Sequence, residues 1–211
     1  GGNGTWTDWV GWYRARRGLL RAAWILSVSE ATRRDLQRIF ALPGEKIRVI
    51  YNALDQRLQE TPTPGEADRI LSRYSAHDPY LLYAGSVKPH KNLPRLIEAF
   101  ALVKDELRQH PRYRNLRLII IGDELSKHPQ LRRTVVKSRT QADVRFLGFV
   151  PPPTLAVFYA RAEAFVFPSL YEGFGLPPLE AMAHGAPVVA AKVSALPEVL
   201  GEAALYVNPE N

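Results

Sequence analysis

The spacing of apolar residues changes several times along the chain, and each change marks an element. In residues 5–24, TWTDWVGWYRARRGLLRAAW, Trp6, Trp9, Trp12, Tyr13, Leu20 and Trp24 fall on one broad helical face. Arg14, Arg17 and Arg21 recur on its flank at i, i+3 and i+7. The short apolar run 25–28 then reads as a strand. Ser29 suits the N-cap of a following helix, EATRRDLQRIF (30–40), and Glu30 favours the positive end of its dipole. Pro43-Gly44 stops that helix, and KIRVIY (46–51) reads as a second strand. This helix–strand–helix–strand run begins in mid-pattern. A parallel sheet built on it needs strands from before residue 1, so residues 1–55 are expected to be the remnant of an N-terminal domain.

Residues 56–79 differ in character. They hold Thr61-Pro62-Thr63-Pro64-Gly65, an acidic bias and one short helical stretch, which predicts an interdomain linker. From residue 80 onward the alternation is regular. Strands are expected at 80–84, 116–121, 144–147, 164–167, 187–190 and 204–207, with helices at 93–109, 128–138, 152–161, 177–184 and 195–200. The runs LIII, AFVF and PVVA are short and nearly continuous, as in strands buried on both faces. Residues 80–211 therefore read as an α/β domain with a doubly wound, Rossmann-like parallel sheet.

Composition narrows the chemistry. The 211 residues include no cysteine, which excludes disulfides, thiolate-bound zinc and cysteine catalysis. The five histidines, at 77, 90, 110, 128 and 184, lack metal-ligand spacing, and no metal is expected. No apolar run reaches the roughly 20 residues of a membrane span. The net charge of +7 is uneven: +4 over residues 1–55, −1 over 56–79, +8 over 80–150 and −4 over 151–211. A basic middle suits an anionic partner, whether nucleic acid, lipid surface or phosphorylated small molecule.

In doubly wound sheets the ligand lies beyond the carboxyl ends of the strands. Here those loops hold Gly85-Ser86-Val87-Lys88-Pro89-His90-Lys91-Asn92, then Gly122-Asp123-Glu124, Gly148-Phe149-Val150-Pro151 and Pro168-Ser169-Leu170-Tyr171-Glu172-Gly173-Phe174-Gly175. Glycine and charge gather on one edge of the sheet. In the last loop Gly173 and Gly175 permit close approach of backbone to a ligand, and the amides near Phe174, Gly175 and Leu176 face it from a positive helix end. Glu172 and Glu180 flank this turn with seven residues between them, and paired carboxylates accept from the vicinal hydroxyls of ribose or hexose. Lys91 stands where an ammonium can neutralise a diphosphate.

EGFGLPPLE (172–180) resembles the E-x7-E motif of retaining glycosyltransferases of family 4 (group 1), which have the two-domain GT-B fold. YAGSVKPHKNLPRLIEAF (83–100), VRFLGFVP (144–151), FPSLYEGFGLPPLEAMAHGAPVVA (167–190) and LPEVLGEAALYVNP (196–209) follow in the family's order. SVSEATRRDL (27–36) and KIRVIYNALD (46–55) resemble its interdomain crossing. The resemblance implies the C-terminal donor-binding domain of a GT-B fold with a truncated N-terminal half. It implies transfer of a hexosyl group, with retention, from a GDP- or UDP-sugar to a glycan or lipid-linked acceptor. Glu180 would hold the ribose, and Glu172 the transferred sugar near the reacting centre. The amides of Gly173, Phe174, Gly175 and Leu176 would surround sugar and diphosphate, and Lys91 would stabilise the leaving group. Gly85, Ser86, Gly122 and Asp123 would border the donor, and Gly148, Phe149 and Val150 the base. The GSVKPHKN loop leans toward a GDP-mannose-type donor, and no cofactor is implied.

Ser86 departs from the family, which often has arginine there, and leaves more of the diphosphate charge to Lys91. The glycine-rich loop and acceptor-side histidine of the family's N-terminal half have no match here, so the chain alone is expected to bind donor without turnover. A cytoplasmic protein is expected. The first helix is either an interfacial helix meeting the membrane's inner face or a surface meant for the missing domain. Two other functions fit the pattern less well: a nucleotide-sugar epimerase or phosphorylase of the same fold, and a basic nucleic-acid-binding module. The second has few aromatics among its charges for base stacking.

Overall fold

The computed structural model describes residues 6–55 and 63–210. The chain forms two compact units, Gly1–Asn52 and Ala53–Asn211.

The smaller unit contains α1 (Trp6–Arg21), β1 (Ile25–Ser27), α2 (Glu30–Phe40) and β2 (Ile47–Val49). The two strands pair in parallel, Ile25 beside Ile47. Ile25, Leu42 and Ile47 are buried between them and the helices, with Leu19, Leu20, Leu36 and Phe40 against them. Sequence and structure agree on α2 to the residue, because both ends are chemically marked. The Thr32 amide donates to Ser29 Oγ at 3.0 Å, and Ala41 ends the helix in the left-handed conformation. The expected strands 25–28 and 46–51 are shorter than predicted. Each can pair only as far as the other extends, and Ser29 is already committed to its cap. Cations meet the free carbonyls at both helix ends: Lys46 Nζ donates to Leu20 O at 3.0 Å, and Arg16 Nε to Phe40 O at 3.0 Å. The side chains of Trp6 and Trp9 lie outside the described residues.

The larger unit runs α3 (Pro64–Arg73), β3 (Tyr80–Ala84), α4 (Leu93–Glu106), β4 (Arg117–Ile121), α5 (Pro129–Lys137), β5 (Val144–Gly148), α6 (Pro152–Arg161), β6 (Ala164–Phe167), α7 (Leu176–Ala183), β7 (Val188–Ala191), α8 (Leu196–Leu200) and β8 (Leu205–Val207). Its six strands are parallel in the order β5-β4-β3-β6-β7-β8. Tyr83, Phe100, Phe158, Tyr159, Phe165 and Phe167 fill the core around this sheet. Every helix of this unit has proline at its first or second position. There the missing N–H costs no intrahelical bond, and the fixed φ is already helical. Of the expected linker, residues 56–62 lie outside the described residues. Pro64–Arg73 forms α3, with Ala67 and Leu71 buried in the core of this unit.

The strand order reverses between β3 and β6, which places a crevice at their carboxyl ends. On the β3 side the chain leaves three neighbouring strands through glycines. The Gly85 amide donates to Ile121 O and the Gly122 amide to Gly148 O. A Cβ on Gly122 would lie 2.0 Å from Gly85 O, and the φ of Gly122 is +140°. Gly122→Ala is therefore expected to cost on the order of 3 kcal/mol, or to prevent folding. Urea denaturation measures it, and a loss below about 1 kcal/mol would contradict this packing.

Candidate functional site

Two loops meet across the reversal point. The loop after β3 carries Lys91 in a single 3₁₀ turn, Pro89–Lys91, and the loop after β6 carries Glu172. Lys91 Nζ lies 2.5 Å from Glu172 Oε1, and only 12% and 11% of the two side chains are exposed. Their loops are also joined through the backbone. The Leu170 amide donates to His90 O at 2.7 Å, and Asn92 Nδ2 donates to Pro168 O at 3.3 Å and to Pro209 O at 2.9 Å. Asn92 tolerates the positive φ of +58° that turns the chain into α4. The Lys91 ammonium also stands 5.0 Å from the centre of the Phe167 ring, on the last residue of β6.

Glu172 is fixed from a third direction, since its amide donates to Ser194 Oγ at 2.8 Å from the loop after β7. Beneath it Tyr83 donates to Ser86 O at 3.0 Å, which orients the loop that exposes the Ser86 side chain. Burial, reinforced by the nearby Glu172 carboxylate, raises the Tyr83 phenol well above its ordinary range. The Tyr83 hydroxyl therefore acts as a neutral donor.

Beyond Glu172 the chain passes the buried Phe174 and reaches Gly175, the N-cap of α7, at φ +104°. A Cβ there would come within 2.6 Å of Leu196 Cδ2, so glycine answers both backbone angle and space. Pro177 and Pro178 have no N–H, which leaves Leu176 as the amide donor of the first three helical positions. Glu180 sits on the next turn, and its Oε2 accepts from the Tyr159 hydroxyl at 2.9 Å. Burial first, then the Glu180 carboxylate, drive the Tyr159 phenol far upward.

The remaining predicted residues are less concentrated. Gly85, Gly122 and Gly148 line up along the rim of β3, β4 and β5. Asp123 is engaged locally, with Oδ2 3.1 Å from His128 Nε2. Phe149 is 82% exposed beside that rim, whereas Val150 is buried in the core. Gly173 lies between Glu172 and Phe174 in the same turn. Ser169 Oγ is fully buried without a hydrogen-bond partner among the described residues. A cleft of about 370 Å³ beside β7 and β8 is lined by Leu170, Lys192 and Tyr206 but by neither site carboxylate.

Three supporting residues escaped the sequence reading. Tyr159 sits within an apolar helical stretch, Ser194 in a loop without glycine, and Asn92 in the first strand-end loop but with no role assigned to it. Among the described residues no three His, Asp or Glu side chains gather as a metal site, and no helix is long and apolar enough to cross a membrane.

Lys91→Met removes the cation paired to Glu172 among the described residues and leaves a nearly buried carboxylate without it. A loss of about 3 kcal/mol is expected by denaturant titration, partly recovered in Lys91→Met/Glu172→Gln. With Glu172→Gln measured alone as well, a double-variant loss equal to the sum of the two single losses would show that the pair is not coupled.

Comparison with known proteins places these features. Residues 78–211 match the family model described as "Glycosyl transferases group 1", and residues 2–58 the one described as "Glycosyltransferase Family 4". O-antigen chain mannosyltransferase B of Escherichia coli is 38% identical over 189 residues, covering 89% of this chain and 48% of that protein. O-antigen chain mannosyltransferase RfbU of Salmonella typhimurium is 31% identical, covering 90% and 48%. The chain thus spans about half the length of the curated relatives it matches. Among solved structures, sucrose-phosphate synthase of Thermosynechococcus elongatus superimposes with a TM-score of 0.77 at 25% identity, over 97% of this chain and 50% of that one. Anabaena Alr3699/HepE in complex with UDP and glucose gives 0.80 at 23%, over 95% and 53%, a likeness of fold.

Proposed function

This chain belongs to the group 1 glycosyltransferases, and from that premise we propose that it is the donor-binding half of a retaining hexosyltransferase. The enzyme takes a nucleotide-sugar and passes the sugar to a glycan or lipid-linked acceptor held by an N-terminal domain. The observation that carries the reading is the Lys91–Glu172 pair at the point where strand order reverses.

An ammonium and a carboxylate that nearly exclude water there are preorganised for a ligand carrying both phosphate and hydroxyls. Donor binding exchanges their mutual contact for contacts with the ligand. Lys91 faces the diphosphate, where negative charge grows as the bond to the anomeric carbon breaks, and Glu172 accepts from hydroxyls of the departing sugar. The Leu176 amide and the positive end of α7 add fixed donors that need no rearrangement during the reaction. Glu180 takes the ribose hydroxyls, and exposed Phe149 borders the base. The mannosyltransferase names of the relatives support a mannosyl group as the one transferred, and the resemblance of the GSVKPHKN loop leans toward GDP as its carrier. The protein is cytoplasmic on this reading, working at the inner face of the membrane when its acceptor is lipid-linked.

Calorimetric titration with UDP, GDP and ADP tests the site. One nucleotide is expected to bind in preference, and Glu180→Ala to weaken it at least tenfold, about 1.4 kcal/mol. The 211-residue polypeptide alone is expected to bind without transferring sugar, since the matched relatives are about twice its length. Equal affinity in wild type and Glu180→Ala, or transferase activity of the isolated chain, would overturn the respective part.

A further inference from the structure

Glu180 does not stand free at the crevice. Its Oε2 already accepts from the Tyr159 hydroxyl at 2.9 Å, and Tyr159 on α6 is completely buried. The Tyr159 ring is itself held on two sides. It packs edge-on against Phe165 of β6 at 5.4 Å and is stacked on His184 at 5.6 Å with 27° between planes. His184 lies one turn beyond Glu180, and its Nδ1 lies 2.7 Å from the Glu180 carbonyl oxygen. A carbonyl only accepts, so Nδ1 carries the proton. Side chain and main chain of Glu180 are thus tied to the same aromatic stack.

A carboxylate on a helix surface ordinarily samples several rotamers, and each one lost on binding costs affinity. We propose that Tyr159 is a positioning residue that fixes the Glu180 carboxylate for recognition of the ribose 2′- and 3′-hydroxyls, and so sets the site's preference for ribonucleotides over deoxyribonucleotides. The proposal rests on the reading of Glu180 given above. Two features favour a directing role over simple core filling. A buried phenol whose hydroxyl, among the described residues, donates to a partly exposed carboxylate ties core to crevice, and its raised acidity constant keeps it a donor at every physiological pH. One acceptor site of the carboxylate is occupied from within, and its other lone pairs remain for a ligand.

The test measures binding of GDP and 2′-deoxy-GDP, with UDP and 2′-deoxy-UDP in parallel, to wild type, Tyr159→Phe, Glu180→Gln and the double variant. Tyr159→Phe keeps the ring and its packing, and thermal unfolding checks that each variant is folded. Wild type is expected to favour the ribo form at least tenfold. Tyr159→Phe is expected to weaken the ribo form about fivefold and leave the deoxy form unchanged. In the Glu180→Gln background the same substitution is expected to have a much smaller effect, the coupling of a residue acting through its neighbour. Discrimination undiminished in Tyr159→Phe, or equal weakening of both forms, overturns the role of Tyr159 while leaving Glu180 as the ribose ligand. Absence of discrimination in wild type overturns both.

Discussion

An ion pair taken almost out of water is stable only if each member remains within reach of the other, and that requirement organises the crevice. Lys91 and Glu172 lie 81 positions apart in sequence on different strand-end loops. They meet because the strand order reverses between β3 and β6. Everything near them serves to hold that meeting: the Leu170 amide on His90 O, Asn92 bridging to Pro168, and Ser194 receiving the Glu172 amide. Taking both charges from water costs several kcal/mol each, repaid only at good geometry. The pair is therefore poor evidence of thermodynamic advantage and good evidence of a place kept ready for charge.

Legibility in the sequence followed the kind of force involved. The helix Glu30–Phe40, the strands Tyr80–Ala84 and Ala164–Phe167 and the helix Pro152–Arg161 were readable to the residue, because local chemistry marks their ends. Strand ends elsewhere were set by a partner's length, which no local pattern contains. The carboxylates Glu172 and Glu180 stood out because glycine and proline surround them. Tyr159 did not: within an apolar helix a tyrosine reads as volume, and only the fold reveals where its hydroxyl points. Gly122 was legible as a loop glycine but not as a packing element, since its neighbour is the backbone of another strand.

The basic middle of the chain has a plainer account than a polyanion-binding stripe. Lys91, Lys104, Arg112 and Arg117 each reach an acid on another element: Glu172, Asp143, Glu163 and Asp78. Apart from the first, these pairs are partly exposed, and such pairs are worth about 0.2–1 kcal/mol each when open to water. Their charge is spent between neighbouring elements of one unit. Arg132, Arg133 and Lys137 are different, since α5 has no acid of its own. They form a small solvated face around Val136 rather than a groove with stacking rings.

The contact between Gly122 and the Gly85 carbonyl also bears on how such a site can diversify. A position whose every side chain collides with main chain is closed to mutation, and no neighbouring change opens it without moving a strand. Ser86 and Phe149, on the same rim, point into solvent and meet no such barrier. Sequence change along this rim is therefore expected at those two places, while the rim beneath them stays frozen.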